Sequence, residues 1–209
     1  VDEKTIRTES TGHRWKLVLL AALFFVPLGI SFYWYYGLDS VRPAASVQKG
    51  ELIVPARPLP QLELPLAHGG MTAADFLERT WTLVYLAEGP CDNQCRDRLA
   101  ELRQLRLALG RDRNRVGGVL LYSGEAPDLE WLSREHAGLI AASVDGAEAR
   151  TGLLPRFGGE PDAPEALLRA ERVYIVDPNG NLMMRYDAGT ALKDIHEDLK
   201  RLLRLSRIG

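Results

Sequence analysis

From Leu17 to Tyr36 the chain runs LVLLAALFFVPLGISFYWYY, twenty positions without a charged residue. At ~1.5 Å of rise per residue, a helix of that length matches a hydrocarbon core about 30 Å thick. Phe32, Tyr33, Trp34, Tyr35 and Tyr36 at one end and Trp15 at the other suit the two headgroup layers. Pro27 and Gly29 fall inside the run, where a membrane tolerates a kink better than water does. A cleaved signal peptide has an apolar region of about 7–15 residues followed by a small-x-small site. Bulky YWYYGLDS follows here instead. The pattern therefore predicts a retained transmembrane helix over 15–37.

Downstream the pattern changes character twice. Pro43, Pro55, Pro58, Pro60 and Pro65 punctuate the segment up to about residue 66, which predicts a stiff tether with extended pieces, any strand among them at a sheet edge. We assign 38–79 to this tether and its edge strands. From Thr80 the periodicity is regular. WTLVYL (Trp81 to Leu86) predicts a buried strand. Leu99, Leu102, Leu105 and Leu109 recur at helical spacing before Gly110, a C-cap residue. VGGVLLYS (Val116 to Ser123) predicts a second strand, Asp128 to His136 a short helix, and Leu139 to Val144 a third strand. RVYIVD and NLMMRY flank Pro178-Asn179-Gly180, a hairpin signal. Thr190 to Arg204 carries Leu192, Ile195, Leu199 and Leu202 on one face. The β-α-β-α-β order with a closing hairpin and helix predicts an α/β domain over 80–209. Its sheet should be mainly parallel, with helices on both faces and the hairpin as an antiparallel edge.

Charge adds orientation. Arg7, Arg14 and Lys16 precede the apolar run, whereas Asp39 and Arg42 cancel after it. The positive-inside rule puts residues 1–14 in the cytoplasm and everything beyond Tyr36 outside, where disulfides persist. With 209 residues and a net charge of -2, the chain offers one domain plus appendages and no polyelectrolyte grip on nucleic acid. The arginines between Arg96 and Arg115 interleave with Asp97, Glu101 and Asp112, as on a solvated helix face. No Ser/His/Asp set, phosphate loop or paired carboxylates points to turnover of a small organic substrate.

Candidate chemistry is concentrated in EGPCDNQCRDRL, which holds both cysteines, Cys91 and Cys95. They fall where the first strand passes into the first helix, at the strand's carboxyl end, the side on which open α/β sheets build their sites. A helix beginning near Asp92 turns free N–H groups and a positive dipole end toward the thiols, favouring thiolate. Two helical side chains four apart have Cβ atoms about 5–6 Å apart, whereas a disulfide wants about 3.8 Å. Closing a bridge thus requires Cys91 on the preceding loop, which Gly89-Pro90 permits. The pair is open to three readings: a clamp for soft Cu(I), an exchanging disulfide, or a small staple. The loop it closes is tiny, so a staple would contribute little entropy.

The apolar anchor, the proline-rich tether, WTLVYLAEGPCDNQCRDRL and VYIVDPNGNLMMRY together resemble the Sco/SenC proteins. Those are thioredoxin-like copper proteins that help assemble the binuclear copper centre of cytochrome c oxidase. The pieces RPLP, C-D-x-x-C and DP-x-GNLMMRY are more similar still to small membrane proteins encoded beside bacterial cytochrome oxidase genes. The resemblance implies a thioredoxin-like domain, Cys91 and Cys95 as copper-binding or redox thiols, and copper as the metal. It also implies oxidase subunits or assembly factors as partners, and a single pass through the bacterial inner membrane with a periplasmic C-terminal domain.

Two positions depart from the resemblance. Sco proteins take a third ligand from a histidine just upstream of the hairpin strand, and LLRAERVYIVD has none between Arg169 and Arg172. Of the other histidines, His136 and His196 fall on helices and His68 in a loop before Gly69-Gly70. Thioredoxin-type exchangers place a cis-proline just before the corresponding strand, whereas Pro164 lies well upstream of Arg172-Val173. The first expectation is therefore an oxidase assembly factor acting through the pair as copper chaperone or thiol reductant. A general thiol–disulfide oxidoreductase, and a non-catalytic thioredoxin-like protein bound to the oxidase or its assembly complex, are the alternatives.

Overall fold

The computed structural model describes residues 10–37, 48–159 and 163–206. The tail up to Glu9 and the tether from 38 to 47, with Pro43, lie outside the described residues. Two compact units result, Val1–Val47 and Gln48–Gly209. The first contains one helix, α1 (Ser10–Gly37), which carries Pro27 inside it. Its stretch Trp15–Tyr33 is long and apolar enough to cross a membrane.

The second unit is built on a six-stranded sheet. Its strands are β1 (Glu51–Pro58), β2 (Trp81–Glu88), β3 (Val116–Ser123), β4 (Leu139–Ser143), β5 (Val173–Val176) and β6 (Asn181–Tyr186), in the order β1-β6-β5-β2-β3-β4. Strands β2, β3 and β4 are parallel, β5 is antiparallel to β2, and β6 is antiparallel to both β5 and β1. With three antiparallel pairings of five, the sheet is mixed rather than the mainly parallel one that the element order predicts. The helices α2 (Asn93–Ala108), α3 (Leu129–Glu135), α4 (Pro164–Arg169) and α5 (Leu192–Leu205) fill the connections.

Alternation along β2 divides the core. Leu83, Tyr85 and Ala87 face Leu99, Leu102 and Leu105 of α2 and Ile195, Leu199 and Leu203 of α5. Val84 and Leu86 face the other layer, with Leu153, Leu154 and Phe157 and with Leu167 and Leu168 of α4. Helices thus cover both faces, as the β-α-β order predicts. The closing helix turns its apolar face slightly from the expected one: Ile195, Leu199 and Leu203 are fully buried, while Leu192 and Leu202 are partly so.

Two further expectations are corrected. The Asn-Gly hairpin of β5 and β6 is not the sheet edge. Strand β1 pairs with β6, from Glu51 opposite Arg185 to Pro58 opposite Asn181, and occupies that edge itself. Pro55 and Pro58 lack an N–H, which an outermost strand does not need. Nor does the proline-punctuated segment beyond Gln48 stand off as a tether. Leu62, Leu64 and Leu77 are buried in the core, and Leu59 N donates to Gly180 O at 2.9 Å. Its apolar residues alternate with prolines too irregularly to read as an element, yet they supply a wall of the second layer.

Asp198 fixes the start of β1. It is 1% exposed and accepts from Lys49 N at 2.7 Å, Gly50 N at 2.9 Å and the Tyr186 hydroxyl at 3.2 Å. Burial, then the Asp198 carboxylate, pushes the Tyr186 phenol far above its ordinary pKa.

Candidate functional site at the end of β2

Strand β2 is central and wholly buried up to Ala87, then emerges at Glu88. A sharp turn follows, because Gly89 takes φ +71°, a value an L side chain resists. The Gly89 N–H donates to Ser123 O at 2.7 Å, pinning this turn to the end of β3. Asp92 is the N-cap of α2, its Oδ1 accepting the Cys95 N–H at 2.9 Å. That cap places Cys91 before the helix and Cys95 in its first turn.

The two cysteines form a disulfide, with Cα atoms 5.2 Å apart. The loop position of Cys91 that closure requires is therefore the one observed. Cys91 is 7% exposed and Cys95 4%. On the Cys91 side, Arg96 Nε donates to Cys91 O at 3.3 Å while its guanidinium lies 4.7 Å from the centre of the Trp131 ring. Asp128, 3.7 Å from Arg96, balances that charge. The Asp128 carboxyl is held below its usual range chiefly by the Trp131 N–H.

On the Cys95 side lies a cavity of about 150 Å³, lined by Tyr85, Glu88, Asp92, Leu168, Arg169 and Glu171, with Ala87 and Pro90. Glu88 and Arg169 pair across its mouth, with Arg169 Nη2 to Glu88 Oε1 at 3.0 Å. That hydrogen bond keeps the Glu88 carboxyl below its ordinary pKa. Glu171 carries φ +48° although it is not glycine, and accepts from Gln94 Nε2. Sequence reasoning did not find Tyr85 or Glu171. Tyr85 looks like any strand aromatic, and Glu171 lies in the window noted only for its missing histidine.

None of His68, His136 and His196 lines this cavity. His68 is exposed in the turn after Leu66. His136 is the C-cap of α3, its ring 4.6 Å from Trp131, and burial, then Arg103, lowers its pKa. His196 is on α5 with Nε2 buried and unbonded. Pro164 is the first residue of α4; among the described residues the one cis bond is Val54-Pro55.

The donor set bears on copper. Beyond the sulfurs, the cavity offers the carboxylates of Glu88, Asp92 and Glu171 and the Tyr85 phenol, hard oxygen donors that do not suit Cu(I). No group of three or more His, Cys, Asp or Glu side chains able to hold a metal occurs among the described residues. The sulfurs are bonded to each other, so they would become soft donors only after two-electron reduction.

A parallel β2-β3-β4 unit continued by an antiparallel β5-β6 hairpin, with a disulfide-bonded cysteine pair at the end of β2 and the start of α2, defines a thioredoxin-like protein. The chain belongs to the family described as transmembrane-like, thioredoxin-like, C-terminal domain, which matches residues 81–206. No curated protein matches it. Among solved structures it is similar to BsSco, a member of the Sco family of cytochrome c oxidase assembly proteins in which a disulfide switch is identified. There the identity is 16% over 72% of this chain and 96% of that one, with a TM-score of 0.54. A thiol:disulfide interchange protein of the thioredoxin family from Chlorobium tepidum gives 13%, 71%, 97% and 0.52. Arabidopsis thaliana ScoI with copper bound gives 15%, 75%, 99% and 0.50. At these identities the likeness is one of fold.

Proposed function

We propose that this protein is a membrane-anchored assembly factor for cytochrome c oxidase that acts as a thiol reductant, delivering electrons from the Cys91–Cys95 pair to cysteines of the oxidase copper site. The observation that carries the reading is the disulfide itself, placed across the loop-to-helix boundary with Cys95 in the first turn of α2. Reduction leaves Cys95 as a thiolate at the positive end of a 16-residue helix, and Arg96 provides a cation beside Cys91. A partner thiolate attacks Cys91, the cysteine on the loop before α2, and Cys95 leaves. In the reducing direction the same steps run backward. α1 supplies the anchor, and the charge bias around it supports a cytoplasmic N-terminus with the domain in the periplasm of a bacterial inner membrane.

Copper(I) is a second cargo for the same pair. The observation in its favour is that both sulfurs, already in register to bond, present two soft thiolates once reduced. With only oxygen donors nearby, the ion would be held by two sulfurs and passed on to a partner ligand.

A strain whose only copy is Cys91→Ser, Cys95→Ser is the test. Oxidase activity is expected to fall to the level of a deletion strain. Full oxidase activity in that strain would overturn the reading and favour a non-catalytic partner of the oxidase. Titrating the reduced full chain in detergent with Cu(I) against a competing chelator separates the two cargoes. An affinity no better than that of the double serine variant would remove copper.

A further inference from the structure

Of the four buried tyrosines in the second unit, Tyr122 is 5% exposed and the other three 1% or less; two of those three have hydrogen-bond partners. Tyr174 donates to Phe157 O at 3.3 Å and Tyr186 to Asp198 at 3.2 Å. The third, Tyr85, is 0% exposed, and its hydroxyl has no partner among the described residues. A buried hydroxyl without a partner is costly, and in a native fold it calls for an explanation. It cannot swing away, because β2 is locked between β3 and β5, with Tyr85 opposite both Leu120 and Val173. Its side chain lines the same small cavity as Cys95.

We infer that Tyr85 is a positioning residue for thiol–disulfide exchange, its hydroxyl donating a hydrogen bond to the Cys95 sulfur when that sulfur leaves as thiolate. The inference rests on the redox reading of the pair. In the oxidising direction, a thiolate of a dithiol partner attacks Cys91 Sγ. A bond forms between the partner sulfur and Cys91, the Cys91–Cys95 bond breaks, and its electron pair goes to Cys95. The partner's second thiol, deprotonated, then attacks its own sulfur in the mixed disulfide and releases Cys91. The partner leaves oxidised, the pair is reduced, and the two protons of the partner dithiol are balanced by those taken up by the two cysteines.

The surroundings explain why a neutral donor is needed. Glu88, Asp92 and Glu171 line the cavity and oppose a negative sulfur. Of the nearby cations, Arg169 lines the cavity and is committed to Glu88. Arg98 bonds Glu101 at 2.8 Å and keeps an unpartnered Nε, but it is not among the residues lining the cavity. The Cys95 N–H is already given to Asp92. The hydroxyl of Tyr85 is the remaining uncommitted donor on the cavity wall. Burial, then Glu171, holds its pKa far above the ordinary value, with Arg98 opposing and Asp92 adding. It therefore keeps its proton and shares it.

The test uses the full chain in detergent micelles. A Cys91→Ser variant leaves Cys95 as the sole thiol, and its rate of alkylation by iodoacetamide is followed against pH, with and without Tyr85→Phe. Loss of the hydroxyl should raise the Cys95 pKa by about one unit, a tenfold drop in thiolate at a pH below it. 3-Fluorotyrosine at position 85, a more acidic phenol, should move it the other way, a reversal that mere packing would not produce. Superimposable titrations overturn the assignment. Exchange of the wild-type disulfide with dithiothreitol is measured alongside. Superimposed titrations with rapid exchange would remove Tyr85 and keep the redox reading. Shifted titrations with no exchange would show the hydrogen bond to Cys95 but overturn the redox reading and, with it, the role of Tyr85 in exchange.

Discussion

At the scale of single residues, the site is a set of polar groups whose partners are chosen by the fold. Tyr85→Phe removes a buried hydroxyl that bonds nothing in the oxidised state. It should therefore stabilise the disulfide form by about 1 kcal/mol, read as a higher urea midpoint at unchanged slope. A lower midpoint would mean that the hydroxyl is satisfied there. Asp198→Ala should do the opposite. It strips the acceptor from Lys49 N, Gly50 N and the Tyr186 hydroxyl, and should cost about 2–4 kcal/mol in the same measurement. Cys91 and Cys95 were legible because their chemistry is local: a glycine-proline turn, a cap and a four-residue spacing are all in one stretch. Asp198 was not, since on a helical wheel it belongs to a charged face, and its partners lie 148 and 149 residues away. Tyr85 was hidden for a related reason. A pattern of apolar positions shows that a strand is buried but not which hydroxyl lacks a partner.

Among the elements, the periodic ones were readable and the lateral order of strands was not. β2, α2, β3 and α5 announce themselves by spacing, whereas nothing in NLMMRY tells that β1 will cover it. β1 itself carries two prolines, which mark a strand there for a sheet edge, as it is, but do not tell which strand it will pair with. The carboxyl ends of β3 and β4 are joined by Asp145, whose carboxylate accepts from the Ser123 hydroxyl at 2.5 Å, Gly124 N at 2.9 Å, the Ser143 hydroxyl at 3.0 Å and Arg150 at 3.2 Å. Partial burial pushes its pKa up, but these donors outweigh it and hold the carboxyl below its ordinary value. A depressed carboxylate adds stability at pH above its unfolded pKa of about 3.9 and loses it as the pH falls through the folded value. Its side chain is 41% exposed, so the contribution should be under about 1 kcal/mol. Asp145→Asn should flatten the acid limb of a stability-against-pH curve below about pH 4, by lowering the neutral plateau by under about 1 kcal/mol and leaving the acid end unchanged. An acid limb identical to wild type would remove Asp145 from the account. Because Ser123 also holds the Gly89 N–H, this carboxylate steadies the turn that carries Cys91.

The whole molecule carries an apolar helix and a folded domain whose cysteine pair sits at the end of a strand. If the domain lies outside the inner membrane, then in spheroplasts a membrane-impermeant maleimide should label Cys91 and Cys95 after reduction. Labelling only after the membrane is lysed would reverse the orientation. An α/β sheet covered by helices on both faces was legible from the β-α-β order and the Asn-Gly hairpin, and its thioredoxin-like character from the resemblance to the Sco/SenC proteins. The chemistry was legible only as far as the pair itself, because whether two thiols exchange, stay closed or hold copper depends on neighbours brought in from β5, α4 and the Glu171 turn.

The most direct measurement is the equilibrium of the Cys91–Cys95 disulfide in the full chain against a glutathione buffer. The account predicts reversible exchange with a potential above about -300 mV, where a dithiol can be a working reductant. A potential well below that, with no exchange over hours, would show a structural staple and contradict it.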